Sequence, residues 1–130
     1  MKLYNTLKSI ILEAAEKQKV RKAINDRQRV QIDYRIPEGE APGGVTEGPR
    51  VIEPVGLGIS KGGNMVIRAW QLSPEEDGGV SNRGIPGWKL FRLDRITYFT
   101  PTGTNFDQPR PNFNPDGDKT MSEVIQIVKY

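Results

Sequence analysis

Phe91-Arg92-Leu93-Asp94-Arg95-Ile96 (FRLDRI) alternates apolar and charged residues and sets two arginines about one carboxylate. Side chains of a strand alternate between its faces, so the spacing puts Phe91 and Leu93 on one side and Arg92 and Asp94 on the other. The stretch reads as a strand of a small β-domain with an Arg–Asp pair at its surface. Trp88–Leu93 and Arg95–Phe99 then form the last two strands, read as one bent ladder.

Upstream, Arg29–Ile36 (RVQIDYRI) alternates cleanly, with Val30, Ile32, Tyr34 and Ile36 on one face, as a half-buried strand requires. Residues Pro37–Pro49 hold four glycines and three prolines without periodicity and read as a mobile loop. Arg50–Val55 resumes as a strand in which Pro54, lacking an amide hydrogen, belongs at an edge or a bulge. Lys61-Gly62-Gly63-Asn64 is a hairpin turn signal leading into a strand over Met65–Leu72. Ser73–Gly87 is a second loop, with Glu75-Glu76-Asp77 as a solvated acidic tip.

Residues 3–27 contain no Pro or Gly and read as helix. Leu3, Leu7, Ile10 and Ala14 follow one face, whereas Val20, Ala23 and Ile24 fall on another at about 100° per residue. The second half is expected to pack on its own domain. The first, residues 1–16, either folds back as well or docks on a protein partner or a second copy of the chain. The tail Thr100–Asp118 is rich in Pro, Gly and Asn, and Phe106 and Phe113 mark it as an arm pinned to a surface. Met121, Val124, Ile125 and Val128 stand at helical spacing, although Ile125 and Ile127 also suit a strand; a short final helix is the favoured reading.

The expected fold is therefore α+β. An N-terminal helix precedes a small five-stranded antiparallel Sm-like or SH3-like barrel, followed by an irregular arm and a short helix. The division is 1–19 helical extension, 20–99 barrel and 100–130 arm. With neither cysteine nor histidine, the 130-residue chain has no disulfides, no Cys/His zinc site, no thiol nucleophile and no histidine base. Gly56-Leu57-Gly58 lacks the rest of a dinucleotide fingerprint, Gly58–Gly63 lacks a P-loop lysine, and Asn114–Asp118 lacks the glutamate of a calcium loop. We expect no catalysis, no cofactor and no metal. The N-terminus has no uninterrupted apolar run, so no signal peptide or membrane span is expected and the protein reads as soluble and cytoplasmic. Of the net charge of +3, residues 1–36 contribute +5, residues 37–88 −3 and residues 89–130 +1. That asymmetry permits a local basic face for phosphates.

In order, these pieces resemble the WYL domain family. Ala23-Ile24 precedes Val30–Tyr34, Arg50-Val51-Ile52-Glu53-Pro54 gives the Arg-x-x-x-Pro strand, Gly63–Trp70 lies on the naming strand, and Phe91–Ile96 closes the pattern over residues 20–99. The naming triplet falls on Met65-Val66-Ile67, leaving Trp70 as the aromatic of that strand. The resemblance implies an Sm-like barrel that binds single-stranded nucleic acid or a nucleotide-like ligand in a regulatory or accessory role. With no winged helix ahead of the barrel, it implies a standalone form, which includes accessory proteins of defence systems and small phage products.

The residues expected to bind nucleic acid or ligand are Arg50, Arg68, Trp70, Lys89, Arg92 and Arg95. Guanidinium forks donate two hydrogen bonds to phosphate, and an aromatic face stacks on a base. Arg68 lies within an apolar strand and needs a partner, Asp33 or Glu53 across the sheet, or a wet pocket. Trp70 and Trp88 are core or rim packing, or else base platforms. Lys17, Lys19, Arg21, Lys22, Arg27 and Arg29 form a solvated helix face or a phosphate-tracking stripe. The competing reading is a structural or interaction protein, such as a small phage assembly or host-takeover factor, that docks through its first helix and its arm.

Overall fold

The computed structural model describes residues 2–36, 39–40, 47–81 and 85–130; the long loop over 37–49 thus lies largely outside the described residues. Helix α1 (Lys2–Asn25) is followed by strands β1 (Gln28–Arg35), β2 (Glu47–Ser60) and β3 (Met65–Gln71). A one-turn helix α2 (Pro74–Asp77), β4 (Gly87–Arg92), a 3-10 turn (Leu93–Arg95), β5 (Ile96–Asn105) and β6 (Met121–Ile127) complete the order. The strands form one antiparallel sheet in the order β4-β3-β2-β1-β5, with β6 paired to β2.

Two expectations need correction. The sheet has six strands and is not closed into a barrel: among the described residues no ladder joins its edge strands β4 and β5. Leu93–Arg95 winds into the 3-10 turn instead of continuing a ladder, so the chain passes from one edge to the other through a corner. The expected final helix is strand β6. Met121–Ile127 finds a free stretch of β2 to pair with, Gly56 facing Ile127 and Gly58 facing Val124, and ladder bonds prevail over a helical spacing of apolar residues. The acidic tip is likewise not a bare loop: Ser73 and Glu76 form a reciprocal capping box on α2.

Strand β2 positions everything else. Its edge toward β1 is used twice, by β1 over Glu47–Ile52 and by β6 over Gly56–Ser60, while β3 lies along the other edge. The change of partner falls at a register shift between Pro54 and Gly56, where proline has no N–H to give. The Val55 carbonyl freed there accepts from Val128 N–H at 2.8 Å. Gly58 lets β6 approach: a Cβ there would lie 2.4 Å from the Glu123 carbonyl oxygen.

Val20, Ala23 and Ile24 of α1 are buried against Val30, Ile32, Ile52, Leu57, Ile67 and Phe91 on the inner face of the sheet. Leu7, in the first half of the helix, is half exposed. Phe91 and Leu93 of the opening motif are both buried, and Arg92 and Asp94 form a bidentate surface pair at 2.7 and 3.0 Å. The expected arm starts later than Thr100, because β5 runs on to Asn105 along β1, and beyond it the chain is pinned: Phe106 is buried, its N–H donates to the Arg27 carbonyl, and Phe113 packs against the core. No described helix is long and apolar enough to cross a membrane.

Candidate functional site

The six candidate cations and aromatics do not meet at one place, because strand parity separates them. Arg50 faces Ile32 across the β1–β2 ladder, Lys89 faces Ala69 across β3–β4, and Phe91 faces Ile67; all belong to the inner face. Arg68 and Trp70 alternate with Ile67, Ala69 and Gln71 and so point to the outer face. Arg92 and Arg95 flank the corner, Arg92 on Asp94 and Arg95 on Glu40 at 2.8 Å.

On the outer face the charges around Arg68 and Glu53 are answered. Arg68 forms a two-pronged ion pair with Asp118 of the arm and also donates to Thr120 Oγ1 at 3.0 Å. Glu53, only 2% exposed, accepts from Arg29 at 2.8 Å and from Arg110 at 2.9 and 3.1 Å, and Arg110 continues to Glu76 at 2.8 Å. Neither expected partner of Arg68, Asp33 or Glu53, is the one used. The Arg110 guanidinium stands 5.3 Å over the Trp70 ring, and Trp70 meets Trp88 edge to face at 5.4 Å. The Trp70 indole nitrogen is buried with no hydrogen-bond partner. Burial acts to raise the pKa of Asp118, but its hydrogen bonds with Arg68 and Thr120, together with the Arg68 charge, hold it at about 2.

The inner face is different. Arg50 is only 7% exposed and pairs with no carboxylate among the described residues. Its hydrogen bond goes to the buried Gln71 side-chain oxygen at 3.3 Å, while its Nε is buried with no partner among the described residues. The guanidinium stands 5.5 Å from the Tyr34 ring and 5.7 Å from the Phe91 ring, themselves packed edge to face at 4.9 Å. Tyr34 is held in turn, its hydroxyl accepting from Arg92 N–H at 3.0 Å. Burial lowers the Arg50 pKa. Burial and, secondarily, the Arg50 charge lower that of Lys89. Two cations lie together beside Tyr34 and Phe91, with no anion paired to Arg50 among the described residues. Such an arrangement favours a negatively charged ligand, which would relieve both desolvation and mutual repulsion.

Sequence reasoning singled out Arg50 and Lys89 but missed Tyr34 and Gln71 as their setting. A glutamine at the end of an otherwise apolar strand was the available signal. Among the described residues no group of three or more metal-ligating side chains occurs.

Fold and corner together define a small α+β module with a cationic corner on the inner face of its sheet. A family model, the WYL domain, matches residues 16–101, and the chain belongs to that family, whose members are in general ligand-binding and regulatory. Neither a curated protein nor a solved structure matches the chain.

Proposed function

We propose that this WYL domain is a non-enzymatic sensor that binds a nucleotide-like ligand or single-stranded nucleic acid through the Arg50–Lys89 corner. The observation that carries the reading is the buried guanidinium of Arg50, which among the described residues has no anion and an unpartnered Nε, beside a second cation. A phosphate supplies the missing acceptor for Nε and a counter-charge for Lys89, and Tyr34 and Phe91 shape the approach.

Had Arg50, Arg68 and Arg92 all met phosphates, the logarithm of affinity would fall against the logarithm of salt with a slope of about −2.1 to −2.7. Arg68 and Arg92 already hold carboxylates. With Arg50 and Lys89 as the contacts, the slope is about −1.4 to −1.8. The test is fluorescence anisotropy of a labelled mixed-sequence single strand, comparing wild type, Arg50→Met and Lys89→Gln at several salt concentrations. Binding lost in Arg50→Met with the shallow slope supports the site; undiminished binding in that variant refutes it.

A docking role for α1 is the second reading, favoured by the half-exposed Leu7 in the half of the helix remote from Val20. Leu7→Asp would then change the oligomeric state in size-exclusion chromatography while leaving oligonucleotide binding intact.

A further inference from the structure

The C-terminal arm encloses a cavity of about 230 Å3 against the outer face of the sheet. Its floor is Val55, Gly56 and Ile127; its walls include Trp88 and Phe113. The residues Asn112–Lys119 that roof it lie beyond the stretch matching the family, and Trp88 alternates with Lys89, so the cavity and the cationic corner are on opposite faces.

Three features limit what fits. The first is shape. The Trp88 and Phe113 rings are inclined by only 29° with centroids 6.5 Å apart. Both are held: Trp88 Nε1 donates to the Pro111 carbonyl at 2.7 Å, and Tyr130 meets Phe113 edge to face at 5.3 Å. Rings fixed beforehand lose little freedom when a flat ligand stacks on them. The volume lies below the roughly 300 Å3 at which drug-sized sites begin, which suits one ring system without a long tail.

The second is charge. Arg68 and Asp118 line the cavity but neutralise each other, and the carboxylate is further occupied by the Thr120 N–H at 2.9 Å. Lys119 is the remaining cation of the lining. Such walls do not call for an anion.

The third is an unused polar edge. Asn112, at the exposed rim of the cavity, adopts φ 64, the left-handed region, and its carboxamide pairs with no described residue. A carboxamide offers one acceptor and two donors side by side. Next to stacked rings, that is the arrangement that reads the edge of a heterocycle, and adenine is the base whose N6 and N7 it meets in two hydrogen bonds.

We propose that this cavity binds a single uncharged purine-type heterocycle, adenine being preferred, stacked on Phe113 and Trp88 with its edge read by Asn112. The site is independent of the anion site proposed above. Adenosine, which carries no phosphate, is the probe, titrated into the full chain by calorimetry and by quenching of tryptophan emission.

Asn112→Gly removes the carboxamide while keeping a residue at ease at positive φ, so folding is preserved. One-to-one binding that weakens at least tenfold in Asn112→Gly and in Phe113→Leu, persists in Lys89→Gln and favours adenosine over uridine about tenfold is the expected result. The proposal is overturned by any of three outcomes: no saturable binding of any common nucleoside to wild type that unfolds normally; affinity unchanged in Asn112→Gly; or binding lost in Lys89→Gln, which would place the nucleoside at the inner face.

Discussion

The two faces of the same sheet treat arginine in opposite ways. On the outer face Arg68, Arg29 and Arg110 are bound to Asp118 and Glu53, and those contacts hold the arm down. On the inner face Arg50 is more deeply buried than any of them and has no acid among the described residues. The outer arginines are therefore part of the protein's own structure, whereas Arg50 meets a neutral amide, Gln71, and no carboxylate among the described residues. The lesson is that a basic residue on a strand indicates a ligand only when its own chain leaves it uncompensated.

The contrast can be broken hardest at Glu53. Replacing it with Ala leaves Arg29 and Arg110 without their shared buried acceptor and should cost about 3 kcal/mol, read as a lower midpoint in urea unfolding. Arg110 would also lose its hold on the sheet, so proteolysis within residues 106–118 should accelerate.

A matched pair of substitutions sharpens the comparison. Arg68→Met strands the half-buried Asp118 and should destabilise by about 1–2 kcal/mol. Arg50→Met removes a charge that pairs with no described carboxylate and should be neutral or stabilising by up to about 1 kcal/mol, and it should abolish the anion binding proposed above. Equal losses in denaturant unfolding for the two would mean that Arg50 is satisfied in the free protein.

pH separates the faces again. The folded-state pKa of Asp118 is about 2, below its usual 3.8, so its contribution is complete above 3.8 and is lost as pH falls through about 2. Lys89 runs the other way. Its pKa lies below the ordinary 10.5, so the charged form costs stability in the fold. That cost is relieved as pH rises through the lowered value, and stability climbs toward pH 10.5. Thermal unfolding should show the acid loss vanish in Asp118→Asn and the alkaline gain vanish in Lys89→Met; an anion bound at the corner should suppress the gain. The smallest effect belongs to the corner pair: Arg95→Ala removes an ion pair with the exposed Glu40 and should change stability by no more than about 0.5 kcal/mol.

Much of the fold was legible because alternation is a local property. Val30, Ile32 and Tyr34 of β1, Pro54 at its bulge and the turn before Met65 fell where their spacing put them. Val20, Ala23 and Ile24 likewise identified the part of α1 that is buried. β6 was misread because Val124 and Val128 satisfy a helical spacing, and nothing local reveals that β2 has an open edge there. Within the site, Arg50 and Lys89 were legible as cations of the right kind, but no spacing reveals which arginines have carboxylates.

The sequence by itself determined the α+β class, most strand positions, the absence of thiol and imidazole chemistry, and the family. These follow from residue types and from periodicities of a few residues. The tertiary structure alone decided that the six candidate residues divide among two faces and a corner, and that Asp118 takes Arg68 while no described carboxylate takes Arg50. Charge compensation is set by distance in space. Arg68 and its partner are fifty residues apart in the chain, and only the return of the arm across the sheet brings them together.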